Sequence, residues 1–563
     1  MRQAIRRFPR LWRVSRLLRR WYHARRVAYP DWRPVLASNG HPLESARTRH
    51  GERPKVLFAT AIGSYAHAVS LESALASALM LRDADVHVVL CDGVLPACAE
   101  CEASLYPDLE AFANRGPAND LCRDCLWPAE RVFRQIGVTI HHYSDLLASG
   151  EREESARLAR EVPFAAIPAF QYEGLAIGEH AMAGALRFLA AGTLESEPQG
   201  EAILRRYFEA ALLTAFVHRR LLRQHRFASV TVTHGIYVPW GVVGAVARQM
   251  GVRLAAWNVA YRKRRFIFSH GDTYHHTLMS EPTVEWEHVE LTPQREQSLL
   301  EYLKSRRDGM FDWIVFHRAN QHDPKAIARE LGLDESRPIV GLLTSVSWDA
   351  RLHYPANAFP NMLEWLVATC EYFATRPDLQ LVIRVHPAEI SGFPPSRQPI
   401  LRELVRRVPH LSPNITVVPP ESEIGTYPLM SLCNAVVIYG TKTGVELTSV
   451  GIPVIVAGEA WIRNKGITHD PRDPAEYTAI LDRLPFTARM DHAALRRARQ
   501  YAYHFFFRRM IPLPFVRPRP GFPIYTLQLS SLSELQPGAH GGLDVICDGI
   551  LHGTPFVYDE AQA

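Results

Sequence analysis

The sequence predicts an α/β protein with two parallel-sheet domains and a cysteine-rich insertion in the first. Three observations predict it. Short buried-type apolar runs alternate with helical stretches from residue 55 to about 290 and again from 336 onward. Each run ends in a polar or glycine-bearing turn. Between two such runs, Cys98-x2-Cys101 is followed by Cys122-x2-Cys125. With 563 residues the chain has room for roughly two to four domains. At 47% hydrophobic and 22% charged residues it is not a wholly disordered chain.

Residues 1–50 form a basic amphipathic arm and linker. The first 26 carry ten arginines and no acidic residue, so the formal charge of +6 becomes about −4 on the rest, which is therefore no general polyanion binder. Leu11, Val14, Leu18 and Trp21 recur at helical spacing, with Arg10, Arg13, Arg16 and Arg20 around the complementary side. Such a helix suits an anionic membrane interface, or else docks on its own protein body, on nucleic acid or on a partner. Charges interrupt it too often for a bilayer span or a secretory signal. Residues 227–247 carry no Asp, Glu, Lys or Arg, yet Thr231, Thr233, His234, Gly235 and Pro239 break them into strand, turn and short helix. The chain reads as cytoplasmic, with the arm offering peripheral attachment to the inner face of the membrane.

The first domain is expected over 51–290. VLFATAIGSYAHAVSLESALASALMLRDADVHVVLCDG reads as strand, turn, Ala/Leu-rich helix and strand, with a crossover length that suits a βαβ unit. The pattern continues through HRFASVTVTHG and MGVRLAAWNV. The insertion, about 91–127, brings four thiols into a spacing that suits a tetrahedral structural zinc site; an iron-sulfur cluster or unrelated cysteines are the alternatives. Residues 291–335 form a transition. The second domain, 336–480, runs through RPIVGLLTSVSW, DLQLVIRVHPAEI, ITVVPPESEIGTYPLM and CNAVVIYGTKTGVELTSVGIPVIVAG. Residues 481–563 form a helical and packing extension whose aromatic run, YAYHFFFRRM, meets the proline-rich PLPFVRPRPGFP. A nucleic-acid stacking surface is disfavoured, since no recognition module accompanies these aromatics.

Open parallel sheets bind ligands at the C-terminal ends of their strands, so two facing sheets predict an intervening cleft. His386 follows LVIRV directly, and Arg384 shares its strand face, which makes a candidate phosphate or carboxylate pair; a structural turn histidine is the other reading of His386. In Tyr439-Gly440-Thr441-Lys442-Thr443-Gly444-Val445-Glu446, Thr441, Thr443 and Lys442 are candidates for holding a nucleotide diphosphate. Glu446 either accepts a ribose diol or completes a Thr443-x-x-Glu446 capping box. The string lacks the P-loop pattern. Ser345 and Ser347 are candidates for the opposite lip, and His67 for a donor phosphate across the cleft. Candidates for an acceptor-side base are Asp92, His234, and the group Glu173, Glu179 and His180 in QYEGLAIGEH.

TSVSWDA (344–350), NAFPNMLEWL (357–366), LVIRVHPAEI (381–390), NITVVPPESEIGTYPLM (414–430) and VVIYGTKTGVELTSVGIPVIVAG (436–458) together resemble the bacterial capsule and surface polysaccharide biosynthesis glycosyltransferases. The resemblance covers the C-terminal half best. It implies a GT-B-like arrangement of two Rossmann-like domains, the C-terminal one binding a nucleotide sugar and the other a glycan or glycolipid acceptor. It places His386 at the donor phosphate, Thr441 and Thr443 at the phosphate loop, and Glu446 where the nucleotide sugar is held. Without an evident DxD segment, catalysis is expected to need no divalent metal. A GT-B-like nucleotide-sugar epimerase and a nonenzymatic polysaccharide-binding protein are the alternatives. An envelope biosynthesis complex is a further partner expected from this class.

Overall fold

The computed structural model describes residues 29–37, 52–106, 108–195, 197–306, 311–313, 323–350, 357–392 and 394–560. The basic arm, 1–26, lies outside the described residues. Seven strands form the first sheet: β1 (Lys55–Ala61), β2 (Asp85–Leu90), β3 (Thr139–His142), β4 (Phe227–Thr233), β5 (Arg253–Val259), β6 (Arg265–His270) and β12 (Met510–Pro512). Their spatial order is β12-β6-β5-β4-β1-β2-β3, parallel from β3 to β5. In β1 every residue after Lys55 is buried, as a parallel strand covered on both faces requires. Helix Ala66–Met80 covers one face, and helices Ile177–Leu189, Gly200–Gln224 and Trp240–Gln249 contribute to the apolar core on the other.

The second sheet is wholly parallel: β7 (Ile339–Leu343), β8 (Gln380–Arg384), β9 (Ile415–Val418), β10 (Ala435–Ile438) and β11 (Val454–Val456), in the order β11-β10-β7-β8-β9. All of β7, β8 and β10 is buried.

The chain then returns. After helix His492–Tyr503, the buried aromatics of His504–Arg508 pack where the two sheets meet: Phe505 lies 5.4 Å from Trp461, and Phe506 lies 5.1 Å from Tyr302. From there β12 pairs antiparallel with β6, Met510 opposite Ile267, and so extends the first sheet. A two-stranded ribbon, β13 (Val516–Pro518) with β14 (Tyr525–Leu527), and helix Gly541–His552 pack into the same core. Among the described residues no helix is long and apolar enough to cross a membrane.

The cysteine-rich insertion departs from expectation: it is not a zinc-stabilised module. Among the described residues no group of three or more His, Cys, Asp or Glu could hold a metal ion. Cys98 and Cys101 lie in a loop with their sulfurs 3.9 Å apart, while Cys122 and Cys125 belong to helix Asn119–Ile136 and not to a second short knuckle. The Cys125 sulfur accepts hydrogen bonds from the backbone N–H and hydroxyl of Ser64, both at 3.3 Å. Burial pushes the Cys91 and Cys125 thiols up to about 12. Helical packing and hydrogen bonding thus take up sulfurs that the spacing alone assigned to a metal, and neither the fold nor the enzyme nor its cofactors include the expected structural zinc among the described residues.

Candidate active site

The loops leaving β4 and β5 face those leaving β7, β8 and β10, all at strand C-terminal ends. Tyr237, after β4, donates its hydroxyl to Oδ1 of Asp349, after β7, at 2.8 Å and accepts the Ala350 N–H at 2.9 Å. The Lys442 ammonium stands 4.8 Å from the ring centre of Tyr261, just beyond β5. Gln398 accepts the backbone N–H groups of Gly192 and Thr193 at 2.8 and 3.1 Å, which fastens the same seam at its edge.

On the second-sheet side, the His386 N–H donates to Thr344 Oγ1 at 3.0 Å, and the imidazole Nδ1 accepts the Ala388 N–H at 3.0 Å. Burial first, then the Lys442 and Arg384 cations, push this imidazole down to about 4. At neutral pH it is therefore uncharged, with its proton on Nε2. Arg384 does not join it as an anion-binding pair. Its buried guanidinium donates to the carbonyls of Pro419 and Ser422 and braces the loop after β9. Ser345 contacts the Met362 sulfur through its N–H and hydroxyl at 3.3 and 3.4 Å. The Ser347 hydroxyl is buried without a hydrogen-bond partner where that loop meets Gly192.

Thr441 and Thr443 hydrogen-bond to each other at 3.1 Å ahead of helix Thr443–Ser449. No side-chain cap forms there, and Glu446 is engaged elsewhere. Its carboxylate accepts the Tyr427 hydroxyl and pairs with Lys442 Nζ and Arg306 Nε, each at 3.0 Å. Arg306 also pairs with Asp312. Burial opposes the charge on Glu446, but Arg306 and Lys442 outweigh it and hold the carboxyl below its ordinary range. Burial and the nearby Arg306 push the Lys442 ammonium down. The network fixes Lys442 at the mouth of the loop.

On the first-sheet side, His234 adopts a left-handed backbone, φ 62°, held by its N–H to the Trp257 carbonyl and by Thr273 Oγ1 donating to its own carbonyl, both at 2.8 Å. Such strain in a non-glycine residue persists only where its surroundings impose it. Its ring lies 4.9 Å from that of Tyr237 and 5.7 Å from that of His275, and Nδ1 is buried without a hydrogen-bond partner. Burial, then Arg187, push His234 down to about 3.

Of the other base candidates, three are engaged in polar contacts. Asp92 accepts the Ser144 N–H at 3.1 Å and closes a loop. Glu173 pairs with Arg219. Glu179 sits in the first turn of helix Ile177–Leu189, and His180 is buried with Nδ1 2.7 Å from the Ile236 carbonyl. His67 is enclosed by Tyr65, Phe522 and Tyr525, with ring centres at 5.1, 5.5 and 6.4 Å.

Sequence reasoning missed Asp349, Tyr237, Tyr261, Tyr274, His275, Trp461 and Arg306. Asp349 carried a usable signal, because TSVSWDA follows a buried strand. Tyr274 and His275 carried none, since helix Tyr274–Ser280 reaches the cleft only through tertiary packing.

No family model matches the chain, and no curated protein matches it. Among solved structures, it is similar to Thermosulfurimonas dismutans KpsC, a beta Kdo 2,4 transferase, at 15% identity over 55% of this chain and 87% of that one, with a TM-score of 0.33. A putative UDP-N-acetylglucosamine 2-epimerase from Listeria monocytogenes is 11% identical over 90% of this chain and 99% of that one, TM-score 0.25. The calicheamicin glycosyltransferase CalG4 is 13% identical over 80% and 94%, TM-score 0.21. At these similarities none of them assigns an activity. The two-sheet α/β architecture is consistent with a GT-B-like double Rossmann fold.

Proposed function

We propose that the chain is a glycosyltransferase that moves a sugar from a nucleotide-sugar donor to a bacterial surface-polysaccharide or glycolipid intermediate. The observation that carries this reading is the facing of two sets of strand-end loops, with His386, Thr441, Lys442 and Thr443 opposite Tyr237, His234 and Tyr261. A nucleotide leaving group gains negative charge as the glycosidic bond breaks. A neutral imidazole with its proton on Nε2, a held ammonium and the Thr443 hydroxyl, which Thr441 orients, are suited to that charge. Arg384 and Glu446 act as supports, one for the loop after β9 and the other for Lys442.

Among the acceptor-side candidates read from the sequence, His234, whose Nδ1 is buried without a hydrogen-bond partner beside Tyr237, is the one this reading assigns to the acceptor hydroxyl. The domain divisions at about 290 and 336 belong to the same proposal, as does peripheral attachment at the inner face of the membrane through the arm.

The test supplies candidate nucleotide sugars with and without cell-envelope glycan acceptors and measures product mass and linkage. A new glycosidic linkage formed only with acceptor supports transfer. A reversible isomer formed without acceptor makes the protein an epimerase, and no turnover with any pair moves it to a binding role.

A further inference from the structure

The carboxylates beside the cleft differ in what holds them. Asp312 and Glu446 are matched by Arg306 and Lys442. Asp349, exposed at the seam, is held by a neutral group, the Tyr237 hydroxyl on Oδ1. Tyr237 is itself buried, and its oxygen also receives the Ala350 N–H. The next residue, Ala350, has φ 50°, so the loop is pinned in a conformation that an alanine rarely adopts.

Facing Asp349 is a wall of rings. Tyr274 and His275 have centres 4.2 Å apart, and Trp461 lies 5.6 and 5.5 Å from them and 5.9 Å from Tyr261. Trp461 is 7% exposed and lies beneath the other rings, while Tyr261, Tyr274 and His275 are half-buried. Tyr237, which bonds Asp349 at 2.8 Å, lies 4.9 Å from the His234 ring, His234 lies 5.7 Å from that of His275, and the Lys442 ammonium stands 4.8 Å from the ring centre of Tyr261, so carboxylate, wall and the 441–443 loop adjoin one another.

An ionised carboxylate can only accept hydrogen bonds, so it selects a ligand rich in hydroxyl donors. Aromatic faces select apolar C–H surface. A pyranose ring offers both. A second carboxylate on that ring would meet Asp349 as a like charge, and among the described residues no cation pairs with Asp349.

Resting on the reading of the cleft as a nucleotide-sugar site, we propose that Asp349 and the wall of Tyr261, Tyr274, His275 and Trp461 form a subsite for a neutral hexosyl group. Its hydroxyls bind Asp349, and its phosphates face His386 and Lys442.

Isothermal titration of the full chain tests this. The probes are UDP, GDP, dTDP and CMP, then UDP-glucose, UDP-N-acetylglucosamine, GDP-mannose and dTDP-glucose, and the acidic UDP-glucuronate and CMP-N-acetylneuraminate. At least one neutral sugar nucleotide is expected to bind about tenfold more tightly than its own nucleotide, the worth of about one charge-assisted hydrogen bond. The acidic sugars gain less. Asp349→Asn and Tyr274→Ala, checked for an unchanged unfolding midpoint, lose the increment and keep the affinity for the bare nucleotide. Tyr237→Phe, which frees the carboxylate, loses part of it. A sugar increment that is absent, that survives both substitutions, or that is larger for the acidic sugars overturns the subsite. Failure of every nucleotide to bind overturns the reading of the cleft itself and is seen first, in the wild type.

Discussion

Replacing Glu446 with glutamine removes one negative charge from the buried network under the 441–443 loop while keeping side-chain shape. Its side chain is 3% exposed, that of Arg306 6% and that of Lys442 19%, so solvent cannot replace the lost charge. Arg306 retains Asp312, whereas Lys442 keeps only the aromatic face of Tyr261 among these partners. Removing one member of a buried ion pair costs about 3–5 kcal/mol, and the retained Asp312 sets the expectation near 3 kcal/mol. In a region of this size that lowers the unfolding midpoint by roughly 6–12 °C. Calorimetry of the wild type, Glu446→Gln, Lys442→Met and the double variant measures it. The double variant should regain at least about 1 kcal/mol relative to the sum of the singles, because it no longer buries an unmatched ammonium. A loss below about 1 kcal/mol, or strict additivity, would refute the reasoning. Because Glu446 acts on the donor only through Lys442, a nucleotide sugar should raise the midpoint of Glu446→Gln no less than that of Lys442→Met. A ligand shift smaller than that of Lys442→Met would mean that Glu446 touches the donor directly.

Three further expectations follow from separate parts of the molecule. His386→Ala should weaken nucleotide-sugar affinity about tenfold while costing about 1 kcal/mol of stability, measured by titration and urea unfolding of the same preparation; unchanged affinity would sink the role. Glu72, under the first sheet, accepts the Trp257 indole N–H at 3.0 Å and meets the Thr60 hydroxyl, and burial raises its carboxyl to about 7. Because the folded state holds this proton more tightly than the unfolded chain, stability should be greatest below pH ~4.5 on this account. It should fall by on the order of 3 kcal/mol as pH rises to 7, and Glu72→Gln should flatten that slope. Gly241→Ala should lower stability by about 2 kcal/mol or more, since its methyl group would overlap the Ile236 carbonyl and the His180 ring; an unchanged midpoint would show that the β4 loop yields.

The strands were the most legible part of the sequence. Parallel strands covered on both faces leave continuous apolar runs, so VLFATA, VHVVL, SVTVT, IVGLL, LVIR and AVVI could be read directly. The return of the chain to the first sheet was not legible. β12 has three residues, and its place is fixed by pairing with β6 and by the aromatic cluster before it, neither of which has a local signature.

The same division holds at the site. His386 and the 439–446 loop stand at strand ends and could be proposed, as could His234. The fate of Arg384 and Glu446 depended on the loop after β9 and on Arg306, which lie far away in sequence. The cysteines misled because CxxC spacing fits a helix turn as readily as a metal knuckle, and only the helix Asn119–Ile136 distinguishes the two.

The central claim is that both sets of loops serve one nucleotide-sugar site, and hydrogen exchange with and without nucleotide sugar tests it most directly. The account predicts added protection at 344–349, 386–388 and 441–443 together with 234–237 and 258–261, at one ligand concentration dependence. Protection confined to one sheet, to loops remote from the seam, or seen nowhere would contradict it.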